Sequence, residues 1–172
     1  MTSPAEDSHW AAPQECAPVK VSVRIEADAA TVFSVLADPR RHVEIDGSGM
    51  LRGAVTDAIV TGVGDVFVQK MYYSRHGDYL MANEVVDYEV NRRIAWAPRR
   101  HDIDEPAWGH RWAYELVPDG DGATVVTEIY DCSRIPAEER AEMEDGRIWL
   151  ETMTRTLERI DELCTQLESH AA

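Results

Sequence analysis

The feature that most constrains the fold is a change in the spacing of apolar residues after Gly146. Beyond this glycine, apolar side chains recur every three or four positions, which predicts one long amphipathic helix. The apolar stripe consists of Trp149, Met153, Leu157, Ile160, Cys164 and Leu167. At about 1.5 Å per residue this helix would extend roughly 30 Å, the width of a small domain. It therefore needs a broad apolar surface to lie across.

The middle of the chain, from about residue 50 to residue 132, supplies that surface. Residues 110–117 alternate between the faces of a strand, with His110, Trp112 and Tyr114 on one side. Glycine and aspartate in residues 118–122 predict a tight hairpin turn. Because the other connections between apolar segments are also short, we predict an antiparallel meander and an α+β fold.

The N-terminal part carries the remaining structural signals. Residues 1–17 lack a periodic pattern and are predicted to be a flexible tail, while residues 18–169 are predicted to form a single domain. Residues 19–26 alternate as a half-buried strand. Asp28 is placed to cap a short helix that continues to Leu36, and Pro39 opens a second short helical turn.

Net charge and cysteine usage narrow the functional classes. The chain has 32 acidic residues against 17 Lys plus Arg, a formal charge of -15, which makes nucleic acid and anionic membranes poor partners. No apolar run approaches the roughly 18 to 20 residues that span a bilayer. The N-terminus has acids where a signal peptide is basic and then apolar, which predicts a cytoplasmic location. Three widely spaced cysteines favour neither a disulfide framework nor a zinc site.

The order of these elements resembles the START-like superfamily, also called helix-grip, SRPBCC or polyketide cyclase/dehydrase-like proteins. The similarity covers roughly residues 19–167. It lies in VSVRIEADAATVFSVLADPRRHVEIDGSG, NEVVDYEVNRRIAW and WAYELVPDGDGATVVTEIYD. The resemblance implies a curved antiparallel sheet wrapped around the C-terminal helix, two short helices after the first strand, and a cavity between sheet and helix. It also implies a lipid, sterol, polyketide or other aromatic ligand, and in some members cyclisation or dehydration.

Large side chains on the predicted strands and on the helix stripe are the candidate walls of such a cavity. Each of them alone is also an ordinary core residue, but together they suit an apolar pocket with a few orienting polar groups. Two amides, Gln69 and Asn83, lie on otherwise apolar strands and are candidates to orient a ligand oxygen. The predicted ligand-binding set is Gln69, Met71, Met81, Asn83, Trp96, His110, Trp112, Tyr114, Trp149 and Met153.

The candidate catalytic residues are His110, Tyr114 and Asp46. His110 shares a strand face with Trp112 and Tyr114, and an imidazole there would be able to polarise a carbonyl or move a proton. A structural or exposed histidine is the alternative. His42, Glu44 and Asp46 lie where the resemblance places one edge of the cavity mouth, either as a gate or general base or as solvated surface groups.

Motifs for cofactors and metals are absent from the sequence, so we expect neither. His101, Asp102, Asp104 and Glu105 have metal-compatible side chains, but their spacing matches no known ligand pattern and favours a solvated loop. The segment DGDG imitates only the start of a calcium loop and is interpreted as a turn. The chain contains neither a GxSxG elbow nor a dinucleotide-binding glycine pattern.

Three functional hypotheses follow. The first is a carrier that holds a small hydrophobic molecule, aromatic, polyketide-like or lipid-like, between sheet and helix. The second is a cyclase or dehydratase that uses acid–base groups of the same pocket. The third is a protein-binding module similar to START-related co-chaperones, which the apolar stripe permits and no motif supports. The sequence is compatible with a monomer or a homodimer.

Overall fold

A single antiparallel sheet of seven strands dominates the computed structural model, which describes residues 16–101 and 107–172. The strand order is β1-β7-β6-β5-β4-β3-β2, so β2 to β7 form a meander and β1 closes onto β7. The strands are β1 (Val19–Ile25), β2 (Leu51–Ala54), β3 (Val66–Tyr73), β4 (Gly77–Glu89), β5 (Arg93–Arg100), β6 (Arg111–Pro118) and β7 (Thr124–Asp131). The predicted α+β class and antiparallel meander are confirmed.

The short helices lie where the sequence places them. Helix α1 (Ala29–Leu36) begins at Asp28, whose carboxylate accepts a hydrogen bond from the Thr31 N–H at 2.7 Å. Such a cap satisfies one of the backbone donors that a helix start leaves open. A 3-10 turn (Pro39–Arg41) and the one-turn helix α2 (His42–Ile45) follow. Together they lead the chain to the edge strand β2.

The C-terminal segment begins with α3 (Ala137–Glu142) and an irregular turn (Glu144–Trp149), and continues as the long helix α4 (Leu150–Ala171). Asp145 and Gly146 have positive φ within that turn, which breaks the helical path before α4. A side chain at Gly146 would meet the Tyr130 ring at 2.8 Å, so only glycine fits there. The period change after Gly146 therefore marks a real boundary.

The stripe of α4 is buried against the concave side of the sheet, as predicted. Met153, Leu157, Ile160 and Cys164 are fully buried. Leu157, Ile160 and Cys164 join the main core with residues of α1, β1 and the central strands, while Met153 joins a second cluster around Tyr130. Each large aliphatic side chain buried in this way contributes about 1.5–3 kcal/mol, which is what holds the helix in the sheet.

Of the predicted N-terminal tail, the structure describes only residues 16 and 17. Residues 1–15 lie outside the described part of the chain. Cys16 is buried in the cluster that contains Tyr130 and Cys132, so ordered packing extends at least to this residue. Among the helices that the structure describes, none combines the length and apolar character needed to cross a membrane.

Candidate functional site

A cavity of about 260 Å³ lies between the concave face of the sheet and the first turns of α4. Residues of α2, all strands from β2 to β7, and the N-terminal end of α4 contribute to its walls. Trp, Tyr and Met side chains supply about half of the lining residues, and most of the others are polar or ionisable. Its volume is slightly below the roughly 300–1,000 Å³ of most ligand pockets.

Most of the ligand-binding residues predicted from the sequence line this cavity. They are Gln69, Met71, Met81, Trp96, His110, Trp112, Tyr114 and Trp149. Asn83 and Met153 do not line it, and both are fully buried behind the walls. Asn83 donates to the side chain of Gln69 at 3.2 Å, and Met153 packs in the Tyr130 cluster. The large side chains therefore leave an open space instead of filling the interior.

Stacked and edge-to-face rings make the walls rigid. The Trp96 ring lies 5.2 Å from His42 and 5.7 Å from Tyr114, measured between centroids. Trp112, the cross-strand neighbour of Trp96 on β6, lies 4.4 Å from Tyr130 and 6.2 Å from Trp149. These separations are typical of favourable aromatic pairs, each contributing about 0.5–1.5 kcal/mol beyond area burial. The cavity thus has several flat aromatic surfaces in its lining.

Two polar side chains of the lining, His42 and Gln69, are hydrogen-bonded to each other beside Trp96. Gln69 Nε2 lies 3.0 Å from His42 Nδ1, and His42 Nε2 lies 2.8 Å from the Leu36 carbonyl oxygen. Because an amide nitrogen only donates, Nδ1 accepts and Nε2 carries the proton. Burial lowers the pKa of His42, which favours this neutral form. Both ring nitrogens are occupied by protein partners, so His42 orients Gln69 and supports Trp96.

A buried carboxyl group lies on β7, between β1 and β6. Glu128 is 3% exposed and is the partner of Tyr114 across β6 and β7. The Tyr114 hydroxyl donates to Glu128 Oε1 at 3.0 Å, and Oε2 has no hydrogen-bond partner. Burial, with a smaller effect of the Asp46 charge, raises the pKa of Glu128 to about 8 despite the Tyr114 bond. Burial also raises the pKa of Tyr114, so both groups are protonated at neutral pH.

The predicted catalytic candidate His110 lies at another part of the lining. Its Nδ1 shares a short hydrogen bond with the Tyr130 hydroxyl, and the two rings are stacked with 5.8 Å between centroids. Burial lowers the pKa of His110 to about 4, so the imidazole is neutral at pH 7. A neutral imidazole held in this way presents its second nitrogen as a hydrogen-bonding group.

The third candidate, Asp46, lines the cavity but is engaged in its own loop. Its carboxylate accepts hydrogen bonds from the Ser48 N–H and hydroxyl and from the Leu51 N–H. The next residue, Gly47, donates its N–H to Thr156 Oγ1 on α4 at 3.0 Å. Asp46 therefore holds the loop that closes one side of the cavity. Glu44, by contrast, is exposed and pairs with Arg41 at 3.4 Å.

Glu128, Tyr130 and the pairing of His42 with Gln69 were not identified from the sequence. A signal for Glu128 does exist, because period two places it on one face with Val126 and Tyr130. An acidic residue in such a position is usually read as exposed, and the strand pairing that sets it opposite Tyr114 is not visible without the register. For His42 no local pattern distinguishes a buried ring from an exposed one.

A larger outer cleft of about 1220 Å³ adjoins the cavity. The two spaces share Met50, Tyr79, Trp108, His110 and Trp149. Tyr114 and Glu128 line the cavity but not the cleft, which places them at the inner end. The cleft also carries charged residues from several elements, among them Arg75, Asp78 and Glu139.

Metal-compatible groups do not converge in the described ranges. Among residues 16–101 and 107–172 no three His, Cys, Asp or Glu side chains are grouped so as to hold a metal ion. Of the loop singled out in the sequence, His101 is exposed, and Asp102, Asp104 and Glu105 lie outside the described residues.

Comparison with curated proteins identifies relatives in Mycobacterium tuberculosis. The chain is 35% identical over 113 residues to a protein of strain H37Rv called "Uncharacterized protein Rv0088", and 34% identical to "Uncharacterized protein MT0096" of strain CDC 1551. The matched stretch covers 66% of this chain but only 46% of either relative, so the similarity spans about half of those proteins. No family model matches the chain.

Solved structures match over almost the whole chain. Protein NE0264 from Nitrosomonas europaea superposes with a TM-score of 0.68 at 14% identity, over 91% of this chain and 99% of that one. Protein Ms6760 from Mycobacterium smegmatis gives 0.64 at 16% identity, over 91% and 96%. The Zhui aromatase/cyclase from Streptomyces sp. R1128 gives 0.61 at 14% identity, over 87% and 94%. The chain therefore has the helix-grip fold.

Proposed function

We propose that this protein binds a small aromatic, polyketide-like molecule in the cavity between its sheet and α4. The observation that carries the proposal is the open space of about 260 Å³ between rigid aromatic walls. A plain structural core would close such a space, because protein interiors are packed about as densely as organic crystals. One neighbour in fold is named an aromatase/cyclase, which agrees with an aromatic occupant.

The outer cleft supplies the route by which a ligand enters. Tyr79, Trp108, His110 and Trp149 belong to both spaces, so they line the passage between cleft and cavity. A flat molecule would pass between these rings and reach the inner end near Tyr114. Since Trp96, Trp108, Trp112 and Trp149 all line the cavity, binding should change the tryptophan fluorescence.

Filling the cavity from α4 should weaken binding. Thr152 lines the cavity in the first turn of α4, whereas Thr154 is exposed two residues later on the same helix. We expect ethylnaphthalene to bind wild type with a one-to-one stoichiometry, and Thr152→Trp to weaken it at least about tenfold, equivalent to roughly 1.4 kcal/mol. Fluorescence titration and calorimetry measure both quantities.

The Thr154→Trp variant is the matched control, because it adds the same ring to the same helix outside the cavity. It should bind the probe like the wild type. Equal affinity of wild type and Thr152→Trp, or no saturable binding at all, would contradict the proposal.

A cyclase or dehydratase activity is a second candidate, favoured by the acid–base groups in the lining. Glu128 and Tyr114 hold protons at the inner end, and His110 with Tyr130 supplies a neutral imidazole near the passage. Elimination of water from a β-hydroxy ketone needs such a donor and acceptor. An enzyme of this kind would lose turnover in Glu128→Gln or His110→Ala, and unchanged turnover in His110→Ala would exclude the role of that imidazole.

A further inference from the structure

We propose that Glu128 is the polar anchor of the cavity, and that its free Oε2 hydroxyl donates a hydrogen bond to a carbonyl oxygen of an uncharged aromatic ketone. This inference rests on the proposed function and names the ligand class and the residue that recognises it. It concerns binding and needs no chemical step.

The carboxyl group of Glu128 is only partly hydrogen-bonded. The Tyr114 hydroxyl already donates to Oε1 at 3.0 Å, which leaves Oε2 as the one carboxyl atom without a partner. Buried polar atoms in folded proteins nearly always have partners, and an exception calls for an explanation. Oε2 itself is fully buried, but Glu128 lines the inner end of the cavity, so a rotation of its carboxyl group would bring this atom to a ligand oxygen that supplies the missing partner.

The surroundings of the Glu128 carboxyl group keep it uncharged. Burial and the nearby Asp46 charge keep Glu128 protonated at neutral pH, so Oε2 is able to act as a donor. The groups facing it are Tyr114 from β6 and Asp46 from the loop after α2, while α4 contributes only Thr152 and Thr156 to the lining. A protonated acid beside a tyrosine hydroxyl is matched to an acceptor such as a ketone oxygen.

The lining of the cavity is poorly suited to a negatively charged ligand group. Within the described residues, its lining contains no Lys or Arg, and burial lowers the pKa of both its histidines. A ligand carboxylate would enter without a cation to pair with, and would face Asp46. Transfer of an unpaired carboxylate into such a site is strongly unfavourable. At the inner end of the cavity a ligand carboxylate is therefore strongly disfavoured relative to an uncharged carbonyl group.

Three probes of one shape test the proposal: methyl naphthyl ketone, ethylnaphthalene and naphthoate. At about pH 6, wild type should bind the ketone about three- to tenfold more tightly than the hydrocarbon, the range expected for one net hydrogen bond, and naphthoate least. As the pH rises through the pKa of Glu128, about 8, ketone affinity should fall and hydrocarbon affinity should not.

Two substitutions at Glu128 test its hydrogen bond to the ligand separately from hydrophobic binding in the cavity. Glu128→Met removes the donor at similar length, and should reduce ketone affinity about tenfold while hydrocarbon affinity stays within about twofold. Glu128→Gln keeps an N–H donor, so it should bind the ketone without the loss at high pH. If Glu128→Met fails to fold, the pH profile of Glu128→Gln still decides the question.

The outcomes distinguish failure of the Glu128 hydrogen bond from failure of the proposed ligand binding in the cavity. If the hydrocarbon binds but the ketone binds no better, at any pH and in every variant, the anchor is wrong and the hydrophobic cavity stands. Tightest binding of naphthoate would also overturn the anchor. If none of the three probes binds, the proposed function fails with it.

Discussion

Glu128→Gln should be more stable than the wild type at alkaline pH, by about 2–4 kcal/mol, and the difference should disappear in acid. The wild-type carboxyl group has its pKa raised from 4.5 to about 8 in the folded state, mainly by burial. The folded protein therefore keeps a proton that the unfolded chain releases. Its contribution to the free energy of unfolding is complete below about pH 4.5 and is lost progressively as the pH rises through about 8. Glutamine carries no charge and has no such loss.

Urea denaturation from about pH 4 to about pH 9 measures this difference directly. Other pH-dependent terms, including those of His42 and His110, are common to both proteins and cancel in the subtraction. Glu115→Gln is the control, since it removes an exposed carboxylate from the neighbouring strand β6. A Glu128→Gln difference that is constant from acid to alkaline pH would show that the buried group does not hold its proton.

Gly47→Ala should destabilise the protein by about 3 kcal/mol, at the upper end of overpacking effects. A β-carbon at this position would lie 2.4 Å from the Thr152 carbonyl oxygen and 2.8 Å from the Thr156 nitrogen, both backbone atoms of α4. Backbone atoms of a helix whose apolar stripe is packed into the sheet cannot move aside as a flexible side chain would. The loop must therefore withdraw, and it loses the hydrogen bond from Gly47 N–H to Thr156 Oγ1.

Gly62→Ala is the matched control, because a β-carbon there has no heavy atom within 4 Å and the backbone has no positive φ. Its stability should stay within about 0.5 kcal/mol of the wild type. Thermal and urea denaturation of the two variants give the comparison. Equal stabilities of Gly47→Ala and Gly62→Ala would refute the close approach of this loop to α4. Because Asp46 and Ser48 line the cavity, Gly47→Ala should also weaken ethylnaphthalene binding.

The long helix and the strands were predictable because their signals are local and periodic. The stripe from Met153 to Cys164 and the alternation in β1 each repeat with the period of one element, and burial follows from that period. The cap at Asp28 is equally local, since a side chain and a backbone N–H three residues apart decide it. The resemblance to the START-like proteins then supplied the curvature and the cavity that local patterns do not encode.

The polar contacts of the site were harder to predict from the sequence, because they depend on which residues of neighbouring strands lie opposite each other. Tyr114 was a candidate from its own strand, but its partner Glu128 is 14 residues away and meets it only through the pairing of β6 with β7. The same holds for His42 and Gln69, which are 27 residues apart. Asn83 shares the alternation of the lining residues yet bonds to Gln69 behind the wall. Amphipathic pattern alone does not separate a lining position from the layer behind it.

A crystal structure of the protein with methyl naphthyl ketone tests the central claim most directly. We expect the naphthalene rings to lie against Trp96 and Trp112, with the ketone oxygen about 2.7 Å from Glu128 Oε2, a normal distance for a hydroxyl donor. Density for the probe at any other place on the molecule, with the cavity holding only water, would contradict it.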